Sequence, residues 1–151
     1  MPTQKQITVM LENKPGRLAQ VLSELAREKI NVVALAVMDR HEQGALRLVT
    51  EDAAATVKVL QGLNVQATQN DVLAVELRNQ PGALAHVCET LAAEHVSIDY
   101  AYCSSGGRNG KVFGIFKVSN LDKAQRILNE SPNNRRLEKR MVRDQRTYKK
   151  A

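Results

Sequence analysis

The chain has 151 residues, 43% of them hydrophobic, enough for one ordinary domain or two small ones sharing a core. Its net charge of +6 sits at one end: residues 1–130 hold 14 basic and 14 acidic side chains, and residues 131–151 hold 8 and 2. No apolar run approaches the ~18–20 residues of a membrane helix, and the first residues lack the apolar stretch of a signal peptide, so a cytoplasmic protein without membrane contact is expected.

In chain order, Ile7, Val9 and Leu11 alternate with polar residues, which predicts a strand. Asn13-Lys14-Pro15-Gly16 breaks that alternation. Leu18, Val21, Leu22, Leu25 and Ala26 then recur at spacings of three and four, so a helix is expected over about 16–29. Pro15 suits its start, where a missing N–H is harmless. Asn31 opens a second strand, 32–38, and residues 39–44 form a hairpin loop leading to a third strand that ends at Thr50. A second helix is expected over about 52–61 and a short fourth strand at 65–67.

The pattern then restarts. Residues 9–18 read VMLENKPGRL and residues 75–84 read VELRNQPGAL, an offset of 66 that also maps Leu25 onto Leu91, Ile30 onto Val96 and Val32 onto Ile98. The second copy predicts strand 72–78, helix 82–94, strand 97–103, strand 111–118 and helix 121–129. Its hairpin loop, 104–110, is two residues longer, so the offset becomes 68 and Leu60 meets Leu128. Beyond 130 the copies diverge, and Arg135 to Ala151 lacks strand alternation.

The expected architecture is therefore α+β: two ferredoxin-like βαββαβ repeats packed as a pseudo-dimer, with the second repeat lacking its last strand or borrowing one. The boundaries expected are 5–69 and 70–130, followed by a mobile or weakly helical basic tail, 131–151.

A strand, then N-x-P-G-x-L on a loop leading into a helix, then Asn or Ser before an extended Val/Ile run, resembles the ACT domain. Two copies in one short chain resemble tandem-ACT amino-acid-binding proteins, as does the stretch from Ser97 to Tyr102. Residues 7–38 are also similar to the start of acetolactate synthase regulatory subunits. The resemblance covers about 7–130. It implies a small regulatory module that binds an amino acid between repeats. Carried over residue by residue, it places Asn13, Pro15, Gly16, Arg17 and Leu18 against Ser97, Ile98 and Tyr100. It likewise places Asn79, Pro81, Gly82, Ala83 and Leu84 against Asn31 and Val32.

The residues suit that chemistry. A free amino acid is a zwitterion, and a loop leading into a helix offers unpaired N–H groups to its carboxylate. Gly16 and Gly82 leave those groups unobstructed, and the carboxamides of Asn13 and Asn79 both donate and accept. Arg17 faces Ala83, and Asn31 faces Ser97, in the repeat alignment, so the half-sites are unequal. Arg17 is either a carboxylate clamp or a solvated first-turn side chain. Tyr100 and Tyr102 share a strand face; they either line a ligand pocket or pack on the sheet or a dimer interface.

Cys88 and Cys103 read as buried thiols of a reduced compartment. His41, His86 and His95 lack any metal-ligand spacing, and no nucleophile, phosphate-loop or dinucleotide motif occurs, so no metal, cofactor or catalytic centre is expected. Three roles remain: a stand-alone amino-acid sensor, a regulatory subunit docked on a biosynthetic enzyme such as acetolactate synthase, or a binder of nucleic acid or acidic partners through the tail. The tail's single aromatic, Tyr148, argues against nucleic acid. Open sheet edges imply a homodimer.

Overall fold

The computed structural model describes residues 3–12, 14–38, 43–104 and 111–130. It contains strand β1 (Thr3–Glu12), helix α1 (Arg17–Arg27), strands β2 (Val32–Met38) and β3 (Gln43–Thr50), and helix α2 (Ala53–Gly62). There follow β4 (Ala67–Arg78), α3 (Ala83–Ala93), β5 (Ile98–Cys103), β6 (Lys111–Val118) and α4 (Leu121–Glu130). Asn13, the greater part of the second hairpin loop, and the tail with Tyr148 lie outside the described residues.

All six strands join one antiparallel sheet in the order β2-β3-β1-β4-β6-β5. The alternation along β1 sends Ile7, Val9 and Leu11 to one face, where they pack with Val21 and Leu25 of α1 and Leu60 of α2. Leu73, Val75 and Leu77 of β4 pack on the same face with Val87 and Leu91 of α3 and Leu128 of α4. Both helix pairs thus cover one side of the sheet. Each helix buries a pair of residues four apart against the sheet: Val21 and Leu25, Thr56 and Leu60, Val87 and Leu91, Ala124 and Leu128.

The sequence expected two separate strands around residue 70. The structure instead runs 67–78 as a single strand serving both repeats. Its first half pairs with β1, from Val9 opposite Ala67 to Thr3 opposite Leu73. Its second half pairs with β6, from Leu73 opposite Phe116 to Arg78 opposite Lys111. No Pro or Gly interrupts 67–78, so nothing breaks the ladder between the two halves. The expected boundary at 69/70 falls inside this strand. The shared strand also answers the question of the absent last strand. Among the described residues no strand follows α4, and the start of β1 lies beside Val72 and Leu73 in its place.

The repeat is kept down to register. Gln6 opposes Val49 in the first copy and Val72 would oppose the equivalent Lys117 in the second, because the β1–β3 and β4–β6 ladders superpose under the offsets of 66 and 68. The edge strands share one irregularity, a register shift at Val33 and at its equivalent Asp99.

The sheet curls toward its helix-free side until edge strands β2 and β5 approach each other. Ala34, Val49, Val72, Ala74 and Ile115 meet inside that curl, with Tyr102 and Phe113 packed against them. This inner face is a second, smaller core.

Candidate functional site

Two turns stand out as matched copies. Arg17 N–H donates to the Lys14 carbonyl at 3.3 Å, and Ala83 N–H donates to the Gln80 carbonyl at 3.4 Å. Gly16 has φ 87° and ψ −10°, and Gly82 has φ 85° and ψ −11°. A Pro followed by a Gly of positive φ matches a type II turn, in which the third residue must tolerate the left-handed region. Each glycine is also the N-cap of its helix, α1 or α3.

That choice has a chemical consequence. Neither helix start carries a side-chain cap. The first intrahelical bonds are Gln20 N–H to the Gly16 carbonyl and His86 N–H to the Gly82 carbonyl, both 2.9 Å. The N–H groups of Leu18 and Ala19, and of Leu84 and Ala85, therefore have no intrahelical partner. The other two helices differ: Asp52 accepts from Ala55 N–H, and Asn120 from Lys123 N–H, each at 3.0 Å. Each repeat thus has one capped helix and one left open at an exposed glycine. A Cβ placed on Gly16 would meet nothing within 4 Å.

The strand pairings place the expected partners at matching ends of the sheet. Val9 lies opposite Ala67, Leu73 opposite Phe116, and Val118 opposite Ile98. The loop after β1, with Pro15, Gly16, Arg17 and Leu18, is therefore at the same end as Ser97 and Ile98. By the equivalent chain of pairings, Asn79, Pro81, Gly82, Ala83 and Leu84 share an end with Asn31 and Val32. The described bonds of these residues stay within their own repeat. Arg17 Nη1 donates to Gln20 Oε1 at 2.8 Å, and its Nε is buried without a partner. Asn31 donates to Glu51 at 3.0 Å, whereas Ser97 N–H donates to the Ser119 hydroxyl at 3.0 Å. The two loops thus differ in their contacts, and Arg17 has Ala83 as its equivalent. Leu84 is 44% exposed, while its equivalent Leu18 is half-buried.

Tyr100 and Tyr102 point into the inner face. The Gln6 side chain, 0% exposed, donates to the Tyr100 oxygen at 2.5 Å and accepts from the Tyr102 hydroxyl at 2.7 Å. The Arg47 guanidinium lies 3.8 Å from the Tyr100 ring centroid. Burial, with the neighbouring Tyr100 as a lesser cause, raises the Tyr102 pKa well above the usual phenol range. Sequence reasoning named the two tyrosines but passed over Gln6 and Arg47. The signal was present in the repeat itself, because Gln6 aligns with Val72 and Arg47 with Ile115, two buried apolar residues.

Both cysteines are free; Cys103 is exposed on the edge strand β5 and Cys88 half-buried on α3, so the expectation of buried thiols fails for Cys103. No cluster of metal-ligating side chains occurs among the described residues. None of the described helices is long and apolar enough to cross a membrane.

Residues 2–141 match the family described as the ACT domain pair. The chain also resembles the solved structure of protein BT0572 from Bacteroides thetaiotaomicron, with 36% identity and a TM-score of 0.77 over 85% of this chain and 88% of that one. The chain belongs to the ACT domain pair family. Two further structures share the fold: the ligand-free regulatory subunit of aspartate kinase from Thermus thermophilus, at 14% identity and TM-score 0.62, covering 86% of this chain and 97% of that chain; and the corresponding subunit from Thermus flavus, at 17% identity and TM-score 0.57, covering 84% and 91%. These findings do not show the expected likeness to acetolactate synthase regulatory subunits. No curated protein matches the chain.

Proposed function

We propose that this ACT-domain protein is an amino-acid sensor that holds a free amino acid between its two repeats and performs no bond-making chemistry. The observation that carries this reading is the pair of open helix starts. At equivalent positions in both repeats, a positive-φ glycine replaces a capping side chain and leaves two backbone N–H groups without a hydrogen-bond partner among the described residues. A carboxylate is the natural acceptor for such groups, helped by the positive end of the helix dipole.

A ligand that signals must favour one arrangement of the repeats over another. The shared strand β4 keeps the two repeats in one sheet, so the movable junction is the opposite one, where β2 and β5 approach without a hydrogen-bonded ladder. An amino acid seated between the loop of one repeat and the β2 or β5 start of the other would bias that junction. Calorimetric titration of amino acids into wild type and Asn79→Ala tests the assignment. Binding that weakens in the variant supports it, and unchanged affinity rejects it.

A further inference from the structure

On the inner face of the sheet, hydrogen-bond donors without described acceptors gather around Tyr100. Gln6 has one carboxamide for two tyrosines. As assigned, its N–H donates to Tyr100 and its carbonyl accepts from Tyr102. Turning the amide over exchanges the roles of the two tyrosines. In either orientation one tyrosine accepts from the amide, and that tyrosine keeps its own O–H proton. No described hydrogen bond takes that proton.

One cation stacks on the Tyr100 ring, and a second stands opposite Tyr100 on the neighbouring strand. Arg47 stacks on Tyr100, directs Nη1 to the Met38 sulfur, and has a buried Nε without a partner. Lys117 is the register partner of Tyr100 on β6, and strand alternation puts both side chains on the inner face. Neither cation pairs with a carboxylate among the described residues. The inner-face carboxylates Glu12 and Glu76 are already bonded to Lys14 and Lys111.

The repeat supplies an internal control. Arg47 is equivalent to Ile115, Lys117 to Val49, and Gln6 to Val72; the three apolar counterparts are at most 1% exposed. Tyr100 is equivalent to Ala34. The fold accepts small or apolar residues at all four positions, so the polar set is not a requirement of folding. Half-buried cations without counter-charges are unfavourable unless something neutralises them.

We infer that the inner face carries a second ligand site, one for a small carboxylate anion held between Arg47 and Lys117 with the spare tyrosine O–H as a further donor. A guanidinium and a hydroxyl suit the planar, acceptor-only carboxylate. This site is separate from the open helix starts and does not depend on their function.

The test uses the full chain, with melting temperature and tyrosine emission followed during titration with sodium acetate, sodium phosphate or sodium chloride at matched ionic strength. Acetate is expected to give a saturable response that chloride does not. Arg47→Ile and Lys117→Val, which install the residues of the sibling repeat, are expected to weaken it at least ~tenfold, as loss of a charge-assisted contact would. Tyr100→Phe should weaken it less. The inference is overturned if acetate acts no differently from chloride on wild type, or if phosphate alone responds. It is also overturned if Lys117→Val and a natively folded Arg47→Ile both respond as wild type does.

Discussion

Lys5 and Asp71 are equivalent residues of the two repeats and also register partners of each other, joined by an ion pair of 2.7 Å. Only one pair on the β1–β4 ladder can satisfy both conditions. The pseudo-twofold axis of the molecule therefore passes between them, perpendicular to the sheet. A true homodimer would place two identical side chains there, and two lysines or two aspartates would repel. The fused chain is free to differ at these positions, and it does.

Because both side chains are about half exposed, the ion pair is worth at most about 1 kcal/mol. Urea unfolding of Lys5→Asp should show a loss of that size, since it sets two carboxylates face to face. Adding Asp71→Lys should restore most of it. Equal losses in the single and double variants would show that the pair does not interact.

Gly16 and Gly82 both occupy the left-handed region, where a side chain costs about 1–2 kcal/mol. Gly16→Ala and Gly82→Ala should each destabilise the protein by about that amount in urea unfolding. Open space around Gly16 means that no clash adds to the backbone term. A neutral result at either position would show that the turn relaxes to another type.

Gln6→Val copies the sibling residue Val72 but leaves Tyr102 without its acceptor. The loss of a buried hydrogen-bond partner predicts destabilisation by about 1–3 kcal/mol, despite the larger apolar surface. Adding Tyr102→Phe should recover part of this, and a double-mutant cycle by chemical denaturation measures the coupling.

Tyr102 gives a pH dependence with a defined sign. Its folded pKa is raised by burial above the ordinary value of 10.0. Above that value the unfolded chain releases the proton while the folded chain retains it. Stability is therefore fully present below about pH 10 and falls as pH rises beyond it. Melting temperature measured from pH 8 to 11.5 should fall less steeply in Tyr102→Phe than in wild type. Parallel curves would contradict the burial argument.

Much of the fold was legible because it is written twice. The three-and-four spacing of Leu18, Val21, Leu22 and Leu25 and the alternation of Ile7, Val9 and Leu11 set the elements, and the offsets of 66 and 68 set their equivalence. The fusion of two expected strands into β4 was not legible, because Gln69, Asn70 and Asp71 look like a turn and become strand only when β1 supplies a partner ladder. The glycine corners were visible from the Pro-Gly pairs. The inner-face cluster was hidden because the curl of the sheet brings Tyr100 to Gln6 across two intervening strands, a relationship that no spacing along the chain encodes.

The most direct test of the sensor account is a thermal-shift screen of the full chain against the twenty amino acids, each over a concentration series. A ligand that binds only the folded protein raises the melting temperature progressively with concentration. The account predicts at least one amino acid with a saturable rise that Asn79→Ala diminishes. No shift with any of the twenty at millimolar concentration would contradict it.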